Sequence, residues 1–66
     1  MENRIKHYRD KLNLSLRELA SLSGVGLGTV CDVQNGNTVP SIATAYKIAN
    51  ALKKTVYQVF PDQKVE

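Results

Sequence analysis

Few residues of this chain have the chemistry for catalysis. Its 66 residues include one cysteine, Cys31, and one histidine, His7. One thiol and one imidazole cannot assemble a structural zinc site. A lone cysteine closes no internal disulfide, and an unpaired thiol fits a reducing, cytoplasmic setting. No nucleophile–base pair or carboxylate pair stands out. The run GVGLG, residues 24–28, looks like a phosphate-cradling loop, but no strand pattern precedes it and no Lys-Ser/Thr follows. An enzyme is therefore not expected, nor a metal, a cofactor or a small-molecule ligand. What remains is a surface that binds. The net charge of +3 suits a polyanionic partner without establishing one.

The elements that position such a surface are short helices. Ser15 followed by Glu18 forms the S-x-x-E capping box that opens a helix over about 16–23. Leu19 and Ala20 point inward, and the small Ala20 lets a second helix cross close by. Gly24 can take the positive φ of a sharp inter-helix turn. Val25, Val30 and Val33 give that second helix, about 27–35, an apolar stripe at helical spacing. Asn35-Gly36 closes it with a left-handed stop.

Around this unit the same logic places the rest. Residues 2–12 read as a first helix with Ile5, Tyr8 and Leu12 on its buried face. Asn13 is its left-handed stop, and Leu14 staples onto the next helix. GNTVPS, residues 36–41, is a turn-rich loop in which Pro40 disfavours helix at Val39 and Ser41 is the next N-cap. A fourth helix spans about 42–52, with Ile42, Ala45, Ile48, Ala49 and Leu52 inward and Lys53 and Lys54 at its electronegative end. Thr55 caps a short fifth helix, VYQVF, which Pro61 ends. The expectation is an all-α, compact five-helix domain over 1–66, with its core at 4–60 and a polar tail at 61–66. No apolar run approaches the roughly 18 residues of a membrane span, so no membrane partner is expected. The charged start MENRIKHYRDK lacks the apolar region of a signal peptide. A chain this short buries only about 60% of its unfolded surface and gains from a partner subunit.

These residues resemble the lambda-repressor-like DNA-binding domain, the Cro/repressor-type, XRE-like helix-turn-helix of transcriptional regulators. The resemblance covers about residues 4–60. It rests on RIKHYR at 4–9, L-S-x-x-E-L-A at Leu14–Ala20, G-V at 24–25 and V-x-x-V-x-N-G at Val30–Gly36. It continues with P-S at 40–41, K-I-A-x-A-L at Lys47–Leu52 and V-F at 59–60. It implies a transcriptional regulator, with activation or repression left open, that binds double-stranded operator DNA as a homodimer. The third helix would lie in the major groove and the second across the backbone. The contacts it implies fall on Ser15, Leu16, Arg17, Leu27, Gly28, Thr29 and Asp32, with Asn35, Asn37 and Thr38 on phosphates after the third helix. Dimer contacts are expected at Val56, Tyr57 and Phe60, with Val65 a further candidate and Phe60 also reading as core.

The reading positions depart from the family pattern. Leu16 stands where the family commonly has Gln, and Leu27 and Gly28 where it often has Gln, Arg or Ser. Gln34 replaces a Glu that pairs with the first-helix arginine, here Arg9, so that only a hydrogen bond can form. Leu27 and the Thr29 methyl can pack on thymine methyls, and Asp32 can accept from cytosine N4. Asp32 also repels phosphates, and reads equally as a plain surface carboxylate. Gly26 and Gly28 read either as a loosely capped helix start or as a site of close backbone approach. His7 reads as a surface side chain, and Cys31 as a small residue standing for the family's serine. The alternative is a protein-interaction module, an anti-repressor or pairing partner, on the same fold with weakened DNA reading.

Overall fold

Five helices follow one another in the computed structural model, which describes residues 3–61: α1 (Ile5–Lys11), α2 (Leu16–Ser23), α3 (Leu27–Gln34), α4 (Ile42–Ala51) and α5 (Val56–Val59). No strand occurs among the described residues. The expected first helix over 2–12 is shorter: Asn3 and Arg4 are not helical and α1 opens at Ile5. Residue 2, the end of the tail and Val65 lie outside the described residues.

Helices α2, α4 and α5 begin where an N-cap side chain takes up an orphan backbone N–H. Ser15 Oγ accepts from the Glu18 N–H at 3.0 Å, while Glu18 Oε1 accepts from the Ser15 N–H at 2.9 Å. Thr55 and Gln58 repeat this box for α5, at 3.1 and 2.9 Å. Ser41 Oγ accepts from the Thr44 N–H to open α4. The start of α3 is different: Gly26 is its N-cap and supplies no side chain.

Three helices close in the same way, with paired 6→1 and 5→2 bonds around a left-handed residue. After α1, Leu14 N–H donates to Arg9 O and Asn13 N–H to Asp10 O, with Asn13 at φ 56°. After α3, Asn37 N–H donates to Asp32 O and Gly36 N–H to Val33 O, with Gly36 at φ 77°. After α4, Lys54 N–H donates to Ala49 O and Lys53 N–H to Asn50 O, with Lys53 at φ 59°. Lys53 thus takes a backbone role beyond the expected dipole effect.

The core is built from one face of each helix: Ile5, Leu19, Val30, Val33, Ile48, Leu52, Val59 and Phe60 are its largest fully buried side chains. Helix α2 packs on α3 and α4, and α4 on α5. The Arg4 N–H donates to Val59 O at 2.8 Å and joins the start of α1 to the end of α5.

Two inward assignments and one helix assignment are corrected. Leu12 is exposed because α1 ends at Lys11, and bonds from its N–H to both Tyr8 O and Arg9 O tighten the final turn. Ile42 is exposed as the first residue of α4, ahead of the buried face that Ala45, Ile48 and Ala49 define. Val25 sits in the turn before α3 rather than on the helix, and its side chain packs on the core from there.

Candidate nucleic-acid interface

The candidate surface is set by how α3 is oriented on α2. Gly24 ends α2 in the left-handed region at φ 73°, its N–H donating to Ala20 O. The Ser23 hydroxyl donates to Ala20 O and accepts from the Val25 N–H, both at 3.2 Å, fixing the turn. Val30 and Val33 then anchor the inner side of α3 in the core. At 100° per residue this turns Gly28, Asp32 and Asn35 outward, with Leu27 and Thr29 flanking on either side. All five are exposed.

The far end of α3 is held by two clasps. Arg9 Nε donates to Gln34 Oε1 at 3.2 Å, and one of its terminal nitrogens donates to Leu14 O at 2.9 Å. The Arg9 side chain is only 13% exposed, and its approach to Asp10, at 3.8 Å, is loose. The expected Arg9–Gln34 hydrogen bond is present and belongs to a brace linking α1, the α1–α2 connection and α3. The second clasp is Asn3. Its amide nitrogen donates to Val33 O at 2.8 Å and Gln34 O at 3.3 Å, while its amide oxygen accepts from the Ile5 N–H at 3.1 Å. One side chain thereby opens α1 and caps the C-terminal carbonyls of α3. Sequence reading misses Asn3. Its position two residues before Ile5 is a local turn signal, but its reach to residue 33 leaves no mark in the sequence.

Most of the implied contact residues are exposed. Arg17 is exposed, with no ion pair among the described residues. Ser15 is exposed, though its Oγ already serves the capping box. Leu16 is half-buried and lies against the core, so little of it is left for a partner. Asn37 and Thr38 are exposed beyond α3, and the Asn35 amide makes a long 3.5 Å contact to Cys31 Sγ. Glu18 has its carboxyl held below the usual carboxylate range, first by the Ser15 backbone N–H and then by the Ser15 side chain.

The expected dimer residues separate. Val56 is 7% exposed and Phe60 1%, because their i, i+4 spacing on the short α5 turns both into the core beside Val59. Tyr57 faces the other way and is 81% exposed. Only Tyr57 of the three offers its side chain to a partner. With Tyr46, Asn50 and Lys54 it borders a shallow cavity of about 270 Å³. Lys54 Nζ also lies 5.3 Å from the centre of the Tyr8 ring, tying the α4–α5 link to α1.

Two helices crossing at a left-handed glycine, the second presenting an outward face and braced at its far end, define a helix-turn-helix domain. Comparison with known proteins agrees. The helix-turn-helix family HTH_3 matches residues 5–58. An uncharacterised HTH-type transcriptional regulator of Archaeoglobus fulgidus is 37% identical over 60 residues, covering 91% of this chain and 84% of the relative. The regulator YgzD of Bacillus subtilis is 33% identical, covering 91% of each chain. The N-terminal DNA-binding domain of the biofilm regulator SinR from Bacillus subtilis superposes with a TM-score of 0.77 at 34% identity, covering 96% of this chain and 91% of that one. SinR in complex with SinI gives a TM-score of 0.83 at 32% identity, covering 89% of this chain and 58% of that chain, which is therefore considerably longer. The chain belongs to the HTH_3 family of helix-turn-helix transcriptional regulators, a DNA-binding and non-enzymatic class. No described helix is long and apolar enough to cross a membrane.

Proposed function

We propose that this chain is a cytoplasmic repressor domain that docks α3 in the major groove of operator DNA as a homodimer, with α2 lying across the backbone. The observation that carries the reading is the outward face of α3, free of the core and held at its far end by Arg9 and Asn3. Arg17 on α2, and Asn37 and Thr38 just beyond α3, are exposed and carry groups suited to phosphate. Two copies meeting through the Tyr57 side would address half-sites about 34 Å apart. No cofactor or small molecule enters the scheme.

The test is titration of labelled operator-containing upstream DNA against random duplex at two salt concentrations. A specific binder keeps its preference as salt rises, on top of the counterion-release slope. Absence of binding to any duplex at low salt refutes the reading. Sedimentation of the wild type and Tyr57→Ala then reads the dimer: the variant should dissociate at a higher concentration than the parent.

A second reading, the protein-interaction module, is favoured by Leu27, which is 36% exposed at the start of α3. The similar SinR is seen in complex with the SinI protein. Leu27→Glu and Asp32→Lys separate the readings. A DNA reader gains non-specific DNA affinity on Asp32→Lys, whereas an interaction module loses its partner on Leu27→Glu and leaves DNA unbound throughout.

A further inference from the structure

Gly28 stands at the middle of the outward face of α3, yet the fold asks for no glycine there. A Cβ built at Gly28 meets nothing within 4 Å beyond its chain neighbours and its own helix backbone, and its φ is not in the left-handed region that Gly24 occupies. Glycine inside a helix is destabilising relative to alanine. What it leaves is a stretch of exposed helix surface without a side chain, next in sequence to the exposed Leu27 and Thr29. Both neighbours carry methyl groups. One turn further along the same face, at i+4, is the exposed carboxylate of Asp32.

The groups this face lacks matter equally. From Leu27 to Gln34 it carries no Lys or Arg. Within α3 its one carboxamide, Gln34, is half-buried and held by Arg9. Guanine is most often read by a bidentate cation on O6 and N7, and adenine by Asn or Gln on N6 and N7. The first chemistry is absent from α3, and the second is left to the exposed Asn35 at its C-cap, about two turns beyond Gly28. The groups nearer the start of α3 match the pyrimidine side: methyl groups for the thymine C5-methyl, and an acceptor for the cytosine amino group.

We infer that α3 reads a thymine methyl brought against the bare backbone at Gly28, beside Leu27 or Thr29, and a cytosine N4 amino group through Asp32. This rests on the groove docking proposed above. Gly28 and Asp32 are four residues apart, about 6 Å along the helix axis. With about 3.4 Å between successive bases, the thymine and cytosine lie roughly two steps apart in each half-site. The code is short and free of obligatory guanine contacts on the strand that α3 faces.

The experiment is selection of bound duplexes from a random pool with the full chain, followed by base substitution in the selected site. The half-site should hold a T and a C at that spacing. Replacing the T by uracil removes only the methyl group and should weaken binding about fourfold per half-site. Asp32→Asn should move the preference at the second position from C towards A, since a carboxamide pairs with adenine. Binding that tolerates uracil, or that demands a guanine facing α3, overturns this inference and leaves the docking intact. Failure to bind any duplex overturns both.

Discussion

Replacing Gly28 by alanine should stabilise the free protein and weaken its complex with DNA. In the free chain the added methyl meets no atom within 4 Å beyond its chain neighbours and its own helix backbone, and the backbone does not sit in the left-handed region. The variant therefore loses no packing and adds no strain. It restricts the unfolded chain, an effect of about 0.4–1 kcal/mol where the native backbone tolerates alanine. The first turn of a helix lies at the low end, so about 0.5 kcal/mol is expected. With roughly 4–8 °C per kcal/mol for a domain of this size, Tm should rise by about 2–4 °C. In the complex the methyl occupies the space assigned to the thymine methyl. Losing that contact costs about 0.8 kcal/mol. Backing the helix away from the groove weakens its neighbours too, so the selected duplex should bind roughly tenfold more weakly, or about 1.4 kcal/mol. Thermal melting by circular dichroism and anisotropy titration with T- and U-containing duplexes read the two effects separately. The reasoning is refuted if the variant melts higher but keeps both the parental affinity and the parental T/U ratio. In that case Gly28 is a helix-start residue with no role in contact.

Three further outcomes follow from the braces and caps. Asn3→Ala removes the 2.8 and 3.3 Å bonds to the end of α3 and should cost about 1 kcal/mol of stability, with amide NMR shifts concentrated at Val33 to Asn37. Gln34→Glu turns the 3.2 Å Arg9 contact into a charge-assisted bond, and should raise Tm at low salt by an amount that shrinks as salt is added. Glu18 has a folded pKa below its ordinary value because it accepts from the Ser15 N–H and is bonded by its side chain. Its contribution is therefore present above the unfolded carboxylate pKa and is lost as pH falls through the folded one. Glu18→Gln should flatten that acid-side loss in a melting series across pH.

The framework of this fold is legible because its signals are local. Ser15 with Glu18, Ser41, Thr55, Asn13 and Gly36 each act within a turn of their own position, and the structure uses each where the residue type predicts. Periodicity is less secure at helix ends. Leu12 and Ile42 have the right spacing and are exposed, because a stripe stays on one face only while regular helix persists on both sides. Lys53 was not legible as a left-handed residue, since lysine has no side-chain preference for that region. The 6→1 bond from Lys54 to Ala49 places it there. The site divides in the same way. Residue types alone mark Leu27, Thr29 and Asp32 as groups that can touch bases, but leave Gly28 balanced between a loose cap and a close approach. The geometry adds that the free fold gives Gly28 neither a steric nor a positive-φ reason, and the Gly28→Ala titrations decide between the two readings. The orientation of the outward face of α3 depends on Asn3 and Arg9, whose partners lie 30 and 25 residues away. Two chains with the same eight residues in α3 would present them differently if those clasps differed.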